Sequence, residues 1–187
     1  HSAHAINGGI RVDEFGESTI SGLFAAGETI AGPHGADRLG GGMLAACNVF
    51  GNRVGQRAAE RARAVGQMEF NETSLQPVAE RLNRFGTGSG NSSWYGVRKS
   101  LKSIAGKSLI AVRRQSLLSE MRETTSSLRH EALLDAPVNS QKDLLRILET
   151  DNLLFTADLM ALAALHRTES RGSHYREDFP DQLDKDW

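Results

Sequence analysis

The chain has one cysteine, Cys47, in 187 residues, and no surplus of either charge, with a formal net charge of -1. It also has no apolar run approaching the roughly 20 residues that a membrane-spanning helix needs. Each shortage removes a class of function. A lone thiol supplies neither an internal disulfide framework nor a multi-cysteine metal or iron–sulfur site carried by this chain alone, and it points to a reducing compartment. Near-neutrality leaves no electrostatic footprint for nucleic acid. Without an apolar span, or a basic segment leading into an apolar one, the chain reads as soluble and untargeted, with no direct membrane insertion. Its length is enough for a real core in one or two domains.

Glycine is abundant, with 19 residues concentrated before Gly66 and sparse after it. The early segment reads as short strands and tight loops: a β-branched piece at 10–12, a return at 18–20 and an apolar run at 23–26 that ends at Gly27-Glu28. A helix is expected from near Met43. Its small residues Gly51, Gly55 and Ala59 recur every four positions, a face suited to close packing on a sheet. Cys47, set among alanines, is expected to be a buried small hydrophobe.

Beyond Asn71 the spacing becomes helical. A short helix fits "NETSLQPVAERLNRF", and "GTGSGNSS" after it reads as a flexible loop. Leu101, Ile104, Ala105, Leu109 and Val112 mark a helix that Gly106 is expected to interrupt. Leu117, Met121, Thr125 and Leu128 mark a second. Ser140, three residues before Asp143, suits the cap of a third, which runs through the apolar stretch 153–165 and is expected to stop at Gly172. The fold class is therefore α+β: short strands and a glycine-rich helix start, then a three-helix bundle.

The stretch "HGADRLGGGML", residues 34–44, puts one fixed positive charge beside nearly bare backbone. A helix N-terminus has unpaired N–H groups and a positive dipole end, and glycines before it let a planar ligand lie on the main chain. A flavin ring suits this arrangement, because the N–H groups near Met43 and Leu44 can stabilise charge on the reduced ring. A purely structural turn is the competing reading. His34 either lines a pocket or caps the Pro-Gly turn. His130 and His166 read as structural or surface residues. Arg167, Arg171, His174 and Arg176, answered by Glu177 and Asp178, form either a salt-bridged helix end or a docking surface.

Together, "AHAINGGI", "GLFAAGE" and "HGADR", with "RTESRGSHYREDFP" at residues 167–180, resemble the flavoprotein subunits of fumarate reductases and succinate dehydrogenases, and the related L-aspartate oxidases. The resemblance covers nearly the whole chain. It implies that residues 1–66 are the C-terminal segment of an FAD-binding domain, 67–92 a linker with a short helix, and 93–187 a helical C-terminal domain. It also implies that the chain is the C-terminal part of a longer FAD-dependent oxidoreductase, inactive and without retained FAD on its own. Arg38 then matches the residue that clamps a substrate carboxylate. His4 matches a second substrate ligand, and His34 belongs to the same substrate motif. Glu28 matches the acid that contacts FAD hydroxyls, while Gly41, Gly42, Met43 and Leu44 match the flavin-facing helix start. No metal site is implied. The partners implied are a dicarboxylate substrate, the rest of the flavoprotein chain and an iron–sulfur subunit, in the cytoplasm or on the cytoplasmic side of a membrane complex. Two rivals stand beside this: a non-catalytic helical module that docks an electron-transfer subunit, and part of an L-aspartate oxidase. The chain departs from the family pattern at Asp37 and at Gly41 to Met43. Asp37 either neutralises Arg38 in part or holds it in place.

Overall fold

A computed structural model of the chain describes residues 6–67, 69, 71–88 and 90–185. The chain divides into two units, His1–Phe70 with Arg171–Ser173, and Asn71–Ser170 with His174–Trp187.

The first unit is made of turns around one helix. The three strands expected from sequence appear as isolated bridges: Ile10 with Ile30, Val12 with Ser18, and Glu17 with Phe24. Asp13 accounts for part of this, because its Oδ1 accepts the N–H groups of Phe15 (2.8 Å) and Glu17 (2.9 Å) and turns the backbone before a ladder extends. Helix α1 (Gly42–Val65) follows and buries only Ala46 and Val54. Val54 seats against the buried Gly16. The small-residue face is exposed, and nothing described lies within 4 Å of a Cβ placed at Gly51 or Gly55. The expected sheet under it is absent among the described residues, since this unit has bridges and no strands. Cys47 is also exposed rather than buried, its Sγ beside Gly27. It lies next to Ala46, off the line that Ala46 and Val54 turn inward.

The second unit is helical. A 3-10 turn (Glu72–Leu75), capped by Asn71 Oδ1 on the Thr73 N–H (3.0 Å), leads into α2 (Gln76–Asn83). The loop after it is tied down in its described part, with Gly90 N–H on the Asp135 carbonyl (3.1 Å) and Asn91 N–H on the Asp135 carboxylate (2.9 Å). Helices α3 (Trp94–Ser108), α4 (Gln115–Ser127) and α5 (Gln141–His166) form the expected bundle. Their buried positions step at helical intervals: Val97, Leu101 and Ile104; Leu118 and Met121; Ile147, Leu154, Ala157, Ala161 and Ala164. Gly106 does not break α3. The packed turn around Leu101 and Ile104 outweighs the roughly 1 kcal/mol that a helical glycine costs. Val112 lies beyond the helix, in β1 (Val112–Arg113), which pairs in parallel with β2 (Tyr175–Arg176). The second helix continues past Ser127 as a π-turn over Leu128–Ala132. Among the described residues no helix is long and apolar enough to cross a membrane.

The ends of α5 differ in how they are satisfied. Ser140 Oγ accepts the Asp143 N–H at 3.2 Å, as its spacing predicts. The other end falls at His166, well short of Gly172, because a buried guanidinium does what a terminal glycine otherwise does. Arg176, 1% exposed, donates from Nη1 to the carbonyls of Ala164 (2.6 Å), Leu165 (3.3 Å) and Arg167 (3.3 Å). Its Nε and Nη2 grip Asp178 bidentately at 2.7 and 2.8 Å. The second Asp178 oxygen also accepts the Gln115 N–H (2.7 Å) and so caps α4, whose own N-cap residue Arg114 offers no side-chain bond. The Arg176 bond, with help from the Gln115 N–H, lowers the Asp178 pKa from 3.8 to about 2.

That depression sets a pH window. The Asp178 contribution is complete above the unfolded value of 3.8 and is lost as the pH falls through about 2, because the unfolded chain takes up the proton first. Urea midpoints measured from pH 5 to pH 2 are expected to fall across that window, and Asp178→Asn is expected to be less stable at pH 5 and flatter below it. Arg176→Leu, which leaves the carbonyls at the end of α5 without their donor, is expected to cost about 1–3 kcal/mol or more at neutral pH.

Candidate functional site

The segment that links the turns of the first unit to α1 carries most of the residues singled out from sequence. Pro33 to Asp37 turns, with the Gly35 N–H on the Gly32 carbonyl at 3.1 Å, and the chain turns again before α1, with the Gly42 N–H on the Leu39 carbonyl at 3.0 Å. Gly41, at φ +80°, is the left-handed residue on which α1 begins, a conformation that favours glycine. Gly40 and Gly42 have no such need, and among the described residues a Cβ on either would meet nothing closer than His34 Cε1, 3.6 Å from Gly42. Two of the three glycines are therefore bare without the fold requiring it.

The first turn of α1 has a donor to spare. The Leu44 and Ala45 N–H groups turn back to the Gly41 carbonyl at 3.1 and 3.4 Å, whereas the Met43 N–H has no partner among the described residues. No side chain caps this end. Beside it, the half-buried His34 has its Nε2 buried and without a hydrogen-bond partner among the described residues. Leu44 is exposed and Met43 half-buried.

Arg38 is half-buried, and its guanidinium makes no hydrogen bond or ion pair with the described residues. Its backbone is fixed instead, with the N–H on Asp37 Oδ1 at 2.8 Å. Of the two roles considered for Asp37, holding Arg38 in place is the one this geometry favours, because the carboxylate is engaged with main chain rather than with the guanidinium charge. The exposed Glu28 accepts the Ile6 N–H on Oε1 at 2.9 Å. His4 lies outside the described residues.

In the second unit, Arg167, His174 and Arg176 of the basic cluster are engaged by hydrogen bonds and ion pairs, while Glu177 pairs with Arg114 at 3.4 Å. Arg167 donates to the fully buried Glu169 from Nε (2.9 Å) and Nη2 (2.7 Å). His174 places Nδ1 2.9 Å from Arg113 Nη1 and Nε2 3.4 Å from the Arg167 carbonyl. Burial and the Arg113 charge lower its pKa, so the neutral ring accepts from Arg113 and donates to the carbonyl. Asp151 is 5% exposed between Arg81 and Arg129, each 2.6 Å away. Burial opposes its charge, and the two guanidinium bonds outweigh burial and hold it below the usual carboxylate range. His130 and His166 are exposed, and no cluster of potential metal ligands occurs among the described residues.

Comparison with known proteins shows the family of the chain. Residues 98–187 match the fumarate reductase flavoprotein C-terminal region, and residues 1–44 match the FAD binding domain. The chain belongs to the fumarate reductase and succinate dehydrogenase flavoprotein family. It is 39% identical over 183 residues to one of the subunits of the fumarate reductase (CoM/CoB) of Methanothermobacter marburgensis, covering 96% of this chain and 33% of that protein. It is 34% identical over 177 residues to the succinate dehydrogenase flavoprotein subunit of Rickettsia bellii, covering 91% and 30%. A solved Escherichia coli quinol fumarate reductase superposes with a TM-score of 0.81 at 30% identity, over 96% of this chain and 32% of that one. The chain spans about a third of the length of the curated relatives it matches. FAD is thus the cofactor of the fumarate reductase family to which the chain belongs.

Three residues of the first unit escape sequence reasoning. Asn7, Gly172 and Ser173 all contact the loop that carries Arg38. Gly172 and Ser173 lie inside the C-terminal motif but carry no local signal of a partner so far away in sequence.

The bare glycines supply a direct check. Gly42→Ala is expected to fold normally and to gain about 0.5 kcal/mol, measured as a rise in thermal midpoint, because the new methyl meets only ordinary contact and helical glycine costs entropy.

Proposed function

We propose that this chain is the C-terminal portion of an FAD-dependent oxidoreductase that transfers hydride between the flavin and a dicarboxylate of the fumarate and succinate type. The observation that carries the reading is Arg38: half-buried, fixed through its backbone, with its guanidinium unengaged by the described residues, and close in sequence to a helix start with bare backbone and a spare donor. A guanidinium so placed can hold a carboxylate by two parallel bonds and orient the adjacent carbon–carbon bond. His4 supplies a further hydrogen bond to the same substrate, and His34 offers its buried Nε2 beside it.

The residues present fit a flavin. The bare faces of Gly40 and Gly42 allow close approach of a planar ring, with Gly41 shaping the turn between them, and the Met43 N–H with the helix dipole suits negative charge on the ring edge. Leu44 extends that helix start, and Glu28 keeps an oxygen for a hydroxyl group. FAD, when bound, supplies the hydride donor and acceptor at N5. We assign residues 1–66 to the end of the FAD-binding domain, 67–92 to a linker and 93–187 to the helical domain. The remainder of the flavoprotein chain and an iron–sulfur subunit complete the proposed assembly, at the cytoplasmic side of a membrane.

Kinetics of the complete flavoprotein test the clamp. Arg38→Lys and Arg38→Gln are expected to lower kcat/KM for fumarate and succinate by about a hundredfold or more, the effect of losing the two-pronged guanidinium pairing with a carboxylate. Wild-type efficiency in either variant would refute the assignment, and L-aspartate assayed alongside separates the aspartate oxidase alternative. The 187-residue chain by itself is expected to retain little or no FAD after desalting, because the ADP half of the cofactor ordinarily rests on a dinucleotide loop that these residues do not include. A stoichiometric flavin spectrum would overturn that expectation.

A further inference from the structure

The loop that carries His34 and Arg38 is held from far along the chain. Arg171–Ser173 belongs to the first unit, although the residues on both sides of it belong to the second. Ser173 donates to the Ala36 carbonyl twice, from Oγ at 3.0 Å and from its N–H at 3.4 Å. Asn7 Nδ2 lies 3.5 Å from Ser173 Oγ and 3.4 Å from Asp37 Oδ1. That same Asp37 oxygen accepts the Arg38 N–H at 2.8 Å. Hydrogen bonds thus run from Ser173 through Asn7 and Asp37 to the Arg38 backbone. Gly172 lets the two segments meet. It sits at φ +56°, and a Cβ there would come within 2.9 Å of the Ala36 carbonyl carbon and oxygen and 3.0 Å of Asp37 Cβ.

We propose that Ser173, with Gly172 and Asn7, positions Arg38 for substrate: this strap fixes the backbone from which the guanidinium reaches the carboxylate. The proposal rests on the clamp reading above. Neither Ser173 nor Gly172 touches substrate in it. Both act on affinity, because a guanidinium whose base is loose loses its pre-set orientation before and after the carboxylate binds.

The test uses the complete flavoprotein and compares Ser173→Ala, Ser173→Thr, Gly172→Ala and Arg38→Gln. Two quantities are read: the split of KM against kcat for fumarate, and the affinity for malonate, a dicarboxylate that cannot be reduced, from the flavin difference spectrum. Ser173→Ala is expected to raise KM and the malonate Kd together by about fivefold, through loss of the hydroxyl that bonds the Ala36 carbonyl and Asn7, with kcat kept within about twofold. Ser173→Thr, which keeps the hydroxyl, is expected to restore both values. Gly172→Ala is expected to exceed Ser173→Ala in the same two readouts, and if it does not fold the Ser173 pair decides. Unchanged KM and malonate affinity in Ser173→Ala, beside a large loss in Arg38→Gln, overturns the strap and leaves the clamp standing. Unchanged values in Arg38→Gln overturn both.

Discussion

The helical unit depends on one ion pair. Arg176, buried beneath the C-terminal end of α5, satisfies three backbone carbonyls there and holds Asp178 with its remaining nitrogens. Asp178 then supplies the N-terminal cap that α4 lacks. The same short segment forms β2 against Val112–Arg113, and Glu177 N–H adds a bond to the Arg113 carbonyl at 2.9 Å. One side chain therefore joins the end of α5, the start of α4 and the chain that closes α3. A buried charge is costly unless every donor is used, and here each guanidinium nitrogen has a partner.

The first unit is organised on the opposite principle. It has little core, since α1 buries two residues along its whole length and Leu39, Leu44 and Val49 stay exposed at 85%, 71% and 58%. What fixes it is backbone: turns at Asp13, the Ile10 and Ile30 bridge, and the two hydrogen bonds from Ser173 to the Ala36 carbonyl. Such a construction suits a ligand site, because it leaves donors, glycines and an arginine uncommitted among the described residues at one helix start.

Much of the second unit is legible in sequence, because burial at a helical period leaves a trace in the order of residues. Leu101 with Ile104, Met121 with Thr125, and the Ser140 cap all sit where their spacing places them. Features set by long-range contacts are not legible. Gly106 looks like a break because local propensity cannot show the packing that carries a helix through it, and Gly172 looks like a terminator because nothing local shows that Arg176 already satisfies the carbonyls of α5. Cys47 and the Gly51 and Gly55 face mislead for a related reason: apolar or small composition says which residues can be buried, not whether something covers them. At the candidate site, the motif around Arg38 is visible and its supports are not. Asp37 is legible as a neighbour of Arg38, but only geometry shows that it engages the main chain.

The bond from Ser173 to Ala36 closes a separation of 137 residues. Contacts of that span are slow to form, since the intervening chain must first be ordered, and their closure entropy grows with its length. During synthesis the turn at Ala36 emerges long before Ser173, and the bonds between them form only once the chain through Ser173 has been made. The site is therefore among the last parts of this chain to mature, and a nascent chain that stops short of Arg171 would have the arginine but not the backbone bonds that hold its loop.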